Sequence, residues 1–287
     1  MITRSISAPP FRLAICNEVF QGWNFVDACR TAKAAGYSGL EIAPFTLSDN
    51  PAFIPASQRK LMRAVLKDEG LQFVGLHLLL HTPAGLHVTT KDDARRIRSW
   101  DHMRQLTDLC AELGEESIMV FGSAKQRSAN GDSTIPDAVT RLRDGLAALA
   151  PSAHARNVTL LIEPLSPRLT DVVTTLPEAI QLVKTINHPA VETMFDFHNA
   201  DAENDAHSEL IRQHSQHIRH IHLNETDGRH PGSGSSDFKP VLQALKQSCY
   251  SGWISVEVFD FKAGGERIAT DSARFLRQEE AKLASAA

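Results

Sequence analysis

Eight short apolar runs, separated by longer segments of helical periodicity, constrain the fold of this chain more than any other feature. Between the runs, apolar residues recur at intervals of three and four, as in NFVDACRTAKAAG, which is typical of amphipathic helices. This alternation predicts a parallel sheet, and eight repeats favour a closed α/β barrel of the (β/α)8 TIM type over an open sheet. The predicted strands are residues 11–16, 38–43, 72–79, 117–122, 158–164, 191–196, 218–224 and 253–258.

The length of 287 residues fits one such barrel, because closed α/β barrels commonly run to about 250 residues as a single unit. We therefore predict a single domain over residues 1–287. The first predicted strand is followed by CNEVFQGW, without the glycine-rich turn of a dinucleotide-binding fold. Two long loops, 82–90 and 125–137, follow the third and fourth strands, on the barrel face where active sites are built.

Charge and cysteine usage exclude several classes of protein. The net charge of −4 implies no broad basic surface, which counts against a nucleic-acid partner. The cysteines lie far apart, without the close pairs of zinc or redox motifs, so we interpret them as reduced thiols. No segment has the apolar length of a signal peptide or a membrane span. We expect a cytoplasmic protein without a membrane partner. The cysteines are Cys16, Cys29, Cys110 and Cys249.

Four polar residues lie at the ends of four predicted strands. Consecutive strands of a barrel place their C-terminal ends around one mouth, so these side chains are expected to converge. Three carboxylates packed together repel one another and lose hydration unless a cation neutralises them. One such carboxylate is often a helix cap or an arginine partner, but four together indicate a divalent metal. Carboxylates with one imidazole favour Mn²⁺, with Mg²⁺ or Co²⁺ as alternatives. The four are Glu163, Asp196, His222 and Glu257.

At these residues the chain resembles the xylose isomerase-like TIM-barrel superfamily. Within it, the resemblance is to the sugar (phosphate) isomerase/epimerase branch, which includes tagatose 3-epimerase and hydroxypyruvate isomerase. It extends over nearly the whole chain, through LAICNEVF, GLHLLLHTPAGLH, LLIEPL, MFDFHNA, HIHLNETDGRHPGSGSSDF and SGWISVEVF. In that superfamily a Glu, an Asp, a His and a Glu on strands five to eight bind one metal ion. They match the same four residues of this chain.

The resemblance implies that the protein isomerises or epimerises a small sugar-like substrate. The metal would polarise a carbonyl group, while Glu163 and Glu257 would remove and return the proton of the neighbouring carbon through an enediolate. His198 and Arg229 match family residues that contact substrate oxygens. Family members are often dimers or tetramers, which implies a homodimer or a homotetramer here.

Two departures from the family pattern concern the substrate. The family commonly has two residues between the strand-six Asp and the following His, whereas this chain has one, Phe197, between Asp196 and His198. Several members carry a second glutamate six residues beyond the strand-five ligand, and Leu169 stands there in this chain. These differences indicate that the substrate is held differently from a simple ketohexose.

Further candidates lie at other strand ends. His77, near the end of the third predicted strand, is either a donor to substrate or a histidine satisfied by protein groups. Glu41, on the second strand, either contacts substrate or hydrogen-bonds a metal ligand or His77 from behind. Lys125 and Arg127, in the loop after the fourth strand, either bind an anionic group of the substrate or are solvated at the rim.

We weigh four functions against these residues. The first is a metal-dependent isomerase or epimerase of a sugar or keto acid, and the second a dehydratase or lyase that eliminates a substituent of an oxidised sugar from the same enediolate. The third, an AP endonuclease of the endonuclease IV type, would need several more histidines, including one where VFGSA stands. The fourth, a non-catalytic sugar-binding barrel, would be expected to lose one of the two glutamates, Glu163 or Glu257.

Overall fold

Eight parallel strands close into a barrel in the computed structural model, which describes residues 9–129, 131 and 133–285. Each strand pairs with the next along the chain, and the first pairs with both the second and the last. The predicted (β/α)8 barrel is confirmed, and every strand lies within its predicted run. The strands are β1 (Arg12–Cys16), β2 (Gly39–Ile42), β3 (Gln72–Leu76), β4 (Ser117–Phe121), β5 (Val158–Ile162), β6 (Val191–Asp196), β7 (Ile218–Leu223) and β8 (Trp253–Val256).

Helices connect the strands and cover the barrel. The first begins after Asn24, whose side chain accepts a hydrogen bond from Val26 N, and ends at Gly36. The φ of +105° at Gly36 favours glycine as the residue that terminates this helix. The helices are α1 (Phe25–Ala35), α2 (Ala56–Asp68), α3 (Asp93–Leu113), α4 (Ala124–Arg127), α5 (Ile135–His154), α6 (Leu176–Ile186), α7 (His207–His214), α8 (Lys239–Gln247) and α9 (Gly265–Ser285). Among the described helices, none is long and apolar enough to cross a membrane.

The predicted loops are largely confirmed, with one difference. The chain has no helix between β3 and Asp93, where α3 begins, so the loop that includes 82–90 is long. The predicted loop 125–137 contains most of α4 instead, and α5 begins at Ile135 after the capping side chain of Thr134. Positions 130 and 132 of that loop lie outside the described residues, as do residues 1–8, which belong to the region where no signal peptide is expected.

The interior of the barrel is polar on one side and apolar on the other. Glu41 of β2 contacts Ser255 of β8, although β1 lies between those strands, so both side chains must face the interior. Side chains alternate along a strand, which places Glu257 on the same face as Ser255. On the opposite side, Val120, Leu161 and Met194 form a small apolar cluster separate from the main core. By the same alternation, Glu163 continues the inner face from Leu161, and Asp196 continues it from Met194.

Hydrogen bonds join the loops that follow β4 and β5. The guanidinium of Arg127 donates through Nη1 to Phe121 O and through Nη2 to Val173 O, each at 3.0 Å. Ser128 Oγ lies 2.9 Å from Thr170 Oγ1. Ala129 N donates to the Asp171 carboxylate at 2.8 Å. The two loops therefore form one hydrogen-bonded wall beside the barrel mouth.

Candidate metal centre and active site

The four strand-end residues converge at the mouth of the barrel. Glu163 follows β5 directly, Asp196 ends β6 and Glu257 follows β8, while His222 is the penultimate residue of β7. Each residue contributes one ligand atom to a group in which all atoms lie within 4.8 Å of one another. All four side chains are buried. The structure thus brings together the residues that the strand-end pattern and the family resemblance selected.

Three buried atoms of this group have no hydrogen-bond partner among the described residues. They are Asp196 Oδ2, His222 Nδ1 and Glu257 Oε2. The imidazole nitrogen lies 3.5 Å from the Asp196 oxygen and 3.0 Å from the Glu257 oxygen. Buried polar atoms without partners are costly, and a divalent cation bound between them would satisfy all three. The donor set fits a metal ion that prefers oxygen and imidazole ligands.

Crowding of carboxylates changes the acidity of the site. Burial, and then the charges of Glu257 and Asp196, raise the pKa of Glu163 to about 8. Burial also raises the pKa of Glu257. Gly122 makes room for this arrangement, since a Cβ at that position would lie 2.2 Å from Glu163 Oε2. A cation at this point would oppose both shifts, because it stabilises the charged form of each carboxylate.

Glu41 supports His222 from the inner side of the barrel. Its carboxylate accepts hydrogen bonds from His222 Nε2 at 3.1 Å, from His220 Nε2 at 2.8 Å and from Ser255 Oγ at 2.6 Å. A carboxylate only accepts, so Nε2 of His222 carries a hydrogen toward Glu41, and Nδ1 is the ring nitrogen that faces the metal group. Glu41 is fully buried. Both oxygens of Glu41 already accept hydrogen bonds from protein donors. Glu41 is therefore better suited to supporting a metal ligand than to contacting substrate.

His77 is buried beside the site and pairs with a residue that the sequence analysis missed. His77 Nε2 lies 2.9 Å from Glu18 Oε2 and 3.9 Å from Glu257 Oε1. Glu18 lies on a short 3-10 segment, Asn17–Phe20, directly after β1. An acidic residue just beyond the end of the first strand was the available signal. One ring nitrogen of His77 thus pairs with a protein carboxylate, while the buried Nδ1 has no hydrogen-bond partner among the described residues.

Asn199 is a second residue that the sequence analysis missed. Its backbone N donates to Asp196 Oδ1 at 2.8 Å, and its Nδ2 donates to Glu163 Oε1 at 3.1 Å. It therefore orients two of the four candidate ligands. Its position three residues after Asp196 in MFDFHNA was the available signal.

Of the remaining predicted substrate contacts, Lys125 lines the cavity that contains the two glutamates, whereas His198 and Arg229 lie on the loops after β6 and β7 and do not line it. His198 is half-buried, donates through Nδ1 to Thr226 O at 2.8 Å and lies against the ring of Phe259. Arg229 forms an ion pair with Asp227 at 2.7 Å and donates to Ser233 O. Lys125 is exposed and lines one cavity of about 340 Å³ together with Glu163 and Glu257.

The expectation that Arg127 lies at the rim is wrong. Arg127 is fully buried, and its guanidinium donates to the backbone carbonyls of Phe121 and Val173. A buried guanidinium needs such acceptors to replace water. Arg127 therefore holds the loops together, and of the two basic residues only Lys125 is exposed at the cavity.

Comparison with known proteins agrees with this fold. The family model described as xylose isomerase-like TIM barrel matches residues 29–279. A probable ketose 3-epimerase of Synechocystis sp. is 23% identical, over 86% of this chain and 88% of the relative. A 3-dehydro-D-guloside 4-epimerase of Escherichia coli is 22% identical, over 84% and 89%. The apo crystal structure of the E. coli 3-keto-D-glucoside 4-epimerase has a TM-score of 0.81 at 18% identity and covers 94% of this chain and 100% of that chain. The chain belongs to the xylose isomerase-like TIM barrel family.

Proposed function

We propose that this protein is a divalent-metal-dependent sugar or keto-acid isomerase or epimerase, with Mn²⁺ as the favoured metal. The observation that carries the proposal is the convergence of Glu163, Asp196, His222 and Glu257, with three buried ligand atoms left without protein partners. Relatives described as a ketose 3-epimerase and a 3-dehydro-D-guloside 4-epimerase support a ketose or an oxidised sugar as substrate.

The two glutamates are suited to moving a proton on the substrate. A divalent cation bound by the four residues would polarise the substrate carbonyl and make the neighbouring C–H acidic. Glu163 and Glu257 follow β5 and β8, which are separated by two strands, so they reach the cavity from different sides of the mouth. One carboxylate removes the proton, and the other returns a proton on the opposite face of the enediolate.

Surrounding residues fix these carboxylates. Asn199 holds one oxygen of Glu163, and Glu257 is buried beside His77. Burial excludes bulk water from the carboxylates, so protons pass between substrate and protein and are not lost at once to solvent.

An AP endonuclease of the endonuclease IV type fits this chain less well. Its cluster of three zinc ions needs several additional histidines. Within the part of the chain that the structure describes, the other groups able to hold a metal are Cys16, Glu41 and His222, and Cys16, Glu18 and His77. Each of those groups contains a single histidine, and the end of β4, where a histidine ligand would be needed, has the sequence VFGSA.

The proposal is tested by measuring metal content and proton exchange. Protein purified without chelators should contain one divalent metal ion per chain, or bind one Mn²⁺ in a titration. With Mn²⁺ present, a panel of ketoses, keto acids and oxidised glycosides in D₂O should include a compound that incorporates deuterium next to its carbonyl. Absence of stoichiometric metal binding would remove the proposal. Loss of a substituent in place of inversion would assign the dehydratase or lyase outcome.

Metal affinity is expected to increase with pH. Since the pKa of Glu163 is raised to about 8 without metal, most molecules carry a proton there at neutral pH, and metal binding must displace it. For one displaced proton, the Mn²⁺ affinity should rise by up to about tenfold per pH unit below about pH 8. Calorimetric titrations in two buffers of different ionisation enthalpy measure the released proton. An affinity independent of pH would contradict the raised pKa.

Replacing Glu41 with glutamine should weaken metal binding without removing a ligand. The amide keeps the shape but no longer supplies a carboxylate for both His222 and His220, so the Mn²⁺ affinity should fall by about 10-fold to 100-fold. Glu192→Gln is the matched control, because Glu192 lies on β6 but pairs with Arg219 outside the site. Equal affinities for the two variants would show that Glu41 does not orient His222.

A further inference from the structure

The cavity above the proposed catalytic glutamates has an apolar outer wall. This wall is formed by Leu78, Leu165, Leu169 and Phe259. The same cavity is lined by Glu163 and Glu257 at its polar end, and by further polar residues that include His81, Lys125 and Gln126. Leu169 is 49% exposed and Phe259 is 45% exposed, so both present apolar surface to whatever occupies the mouth. A free monosaccharide has hydroxyl groups on almost every carbon, and hydroxyls placed against such a wall lose hydrogen bonds to water without replacement. The wall therefore fits a group without hydroxyls.

The aromatic part of this wall is fixed in position. Phe259 N donates to Gly228 O at 2.8 Å, and the Phe259 ring centroid lies 5.1 Å from that of His198. At Gly228, where φ is +82°, a Cβ would lie 3.2 Å from Phe259 Cβ, so glycine allows the two loops to approach. A half-exposed aromatic ring offers a flat surface for stacking.

The backbone conformation is constrained in the aliphatic part of the wall. Leu78 has a φ of +51°, a left-handed conformation that is rare for leucine and persists only where the surrounding structure enforces it. Leu169 N donates to Ser166 O at 2.8 Å, which fixes the turn that presents its side chain. Such strain is concentrated at functional surfaces. Leu61 on α2 is also an exposed leucine, but it lies outside the cavity and so serves as a comparison for Leu169.

We propose that this apolar wall binds the aglycone of an oxidised glycoside, and that the substrate carries an aryl group next to the reacting sugar. The inference rests on the proposed function, since the sugar must reach Glu163 and Glu257 while its substituent lies against Leu169 and Phe259. A flat ring attached at the glycosidic carbon would use the stacking surface of Phe259 and the leucines beside it. Leu169 then contributes to substrate binding, because a charged side chain at this position would lie against the aromatic group.

The test compares substrates that differ only in the aglycone. Deuterium exchange and turnover are measured in D₂O with Mn²⁺ for phenyl and methyl 3-keto-D-glucosides, in both anomeric forms. We expect the phenyl compound to have a kcat/KM at least about tenfold higher, mainly through a lower KM. Calorimetric titration with the unreactive phenyl and methyl D-glucosides should show the same order of affinity.

Variants of the wall separate this inference from the proposed function. Leu169→Glu and Phe259→Ala should bring the phenyl-to-methyl ratio close to one, whereas the control Leu61→Glu should retain the preference of the unmodified protein. Circular dichroism verifies that each variant is folded. If methyl 3-keto-D-glucoside exchanges deuterium but the phenyl compound has no advantage, the aglycone site is overturned and the proposed function stands. If no keto sugar or keto acid exchanges deuterium, both are lost.

Discussion

Replacing Glu257 with glutamine is expected to abolish deuterium exchange next to the substrate carbonyl and to lower turnover by about 10³-fold or more. The amide has nearly the same shape as the carboxylate and keeps an oxygen for the metal, but it cannot accept a proton from carbon. Glu257 Oε2 is one of the buried atoms without a hydrogen-bond partner in the site. The exchange is followed by NMR in D₂O, with Mn²⁺ affinity measured in parallel.

Glu257→Gln is best compared with Glu163→Gln and with an acidic residue outside the site. If the glutamates act on opposite faces, each variant should lose epimerisation, but Glu163→Gln should still exchange deuterium on the face served by Glu257. Glu192→Gln, near the N-terminal end of β6 and away from the mouth, should retain full activity. Unchanged exchange in Glu257→Gln would rule out its role as a base.

Removing the metal is expected to eliminate activity and to lower the melting temperature by about 10 °C, if the metal is present at roughly 1,000 times its dissociation constant. The protein is treated with EDTA and dialysed, and unfolding is followed by calorimetry before and after Mn²⁺ is restored. Three carboxylates that share a buried site repel one another once the cation is gone. Full recovery with Mn²⁺ shows that the loss is due to the metal.

Removal of the metal should lower the melting temperature more at pH 8 than at pH 6. The pKa of Glu163 without metal is raised from 4.5 to about 8, so the folded chain binds a proton more tightly than the unfolded chain does. Stability of the metal-free protein therefore falls as the pH rises through this window. In the metal-bound protein the cation replaces the proton, and the same rise in pH should not weaken the fold. Melting temperatures equal with and without EDTA at pH 8 would contradict a bound metal.

The fold and the four candidate ligands could be predicted because both depend on local patterns. Strands of a buried parallel sheet are short apolar runs, and a polar residue that ends such a run, such as Asp196, is conspicuous. Once the strands are ordered around a barrel, their C-terminal ends must meet. The positions of Glu163 and Glu257 therefore follow from the order of the strands.

Glu41 was predicted as a support for a ligand, but other residues around the ligands could not be predicted in the same way. Glu18 reaches His77 through a 3-10 segment, and Asn199 contacts Glu163 from the loop after β6. Both contacts depend on loop conformation, for which the sequence has no periodic signal. Arg127 is the clearest case, since nothing local distinguishes a solvated arginine from one buried against the carbonyl that ends β4 and a carbonyl of the loop after β5.

The bonds of Arg127 to Phe121 O and Val173 O also bear on how substrate preference could be changed by protein engineering. Lys125 and Leu169 lie on the two loops that this guanidinium joins, so we expect a substitution on one loop to shift the surface that the other presents. Effects of paired substitutions there should not add, because additivity requires independent sites. Libraries that vary both loops together, with Arg127 retained, would include combinations of substitutions that are compatible with each other. Substituting one position at a time would miss them.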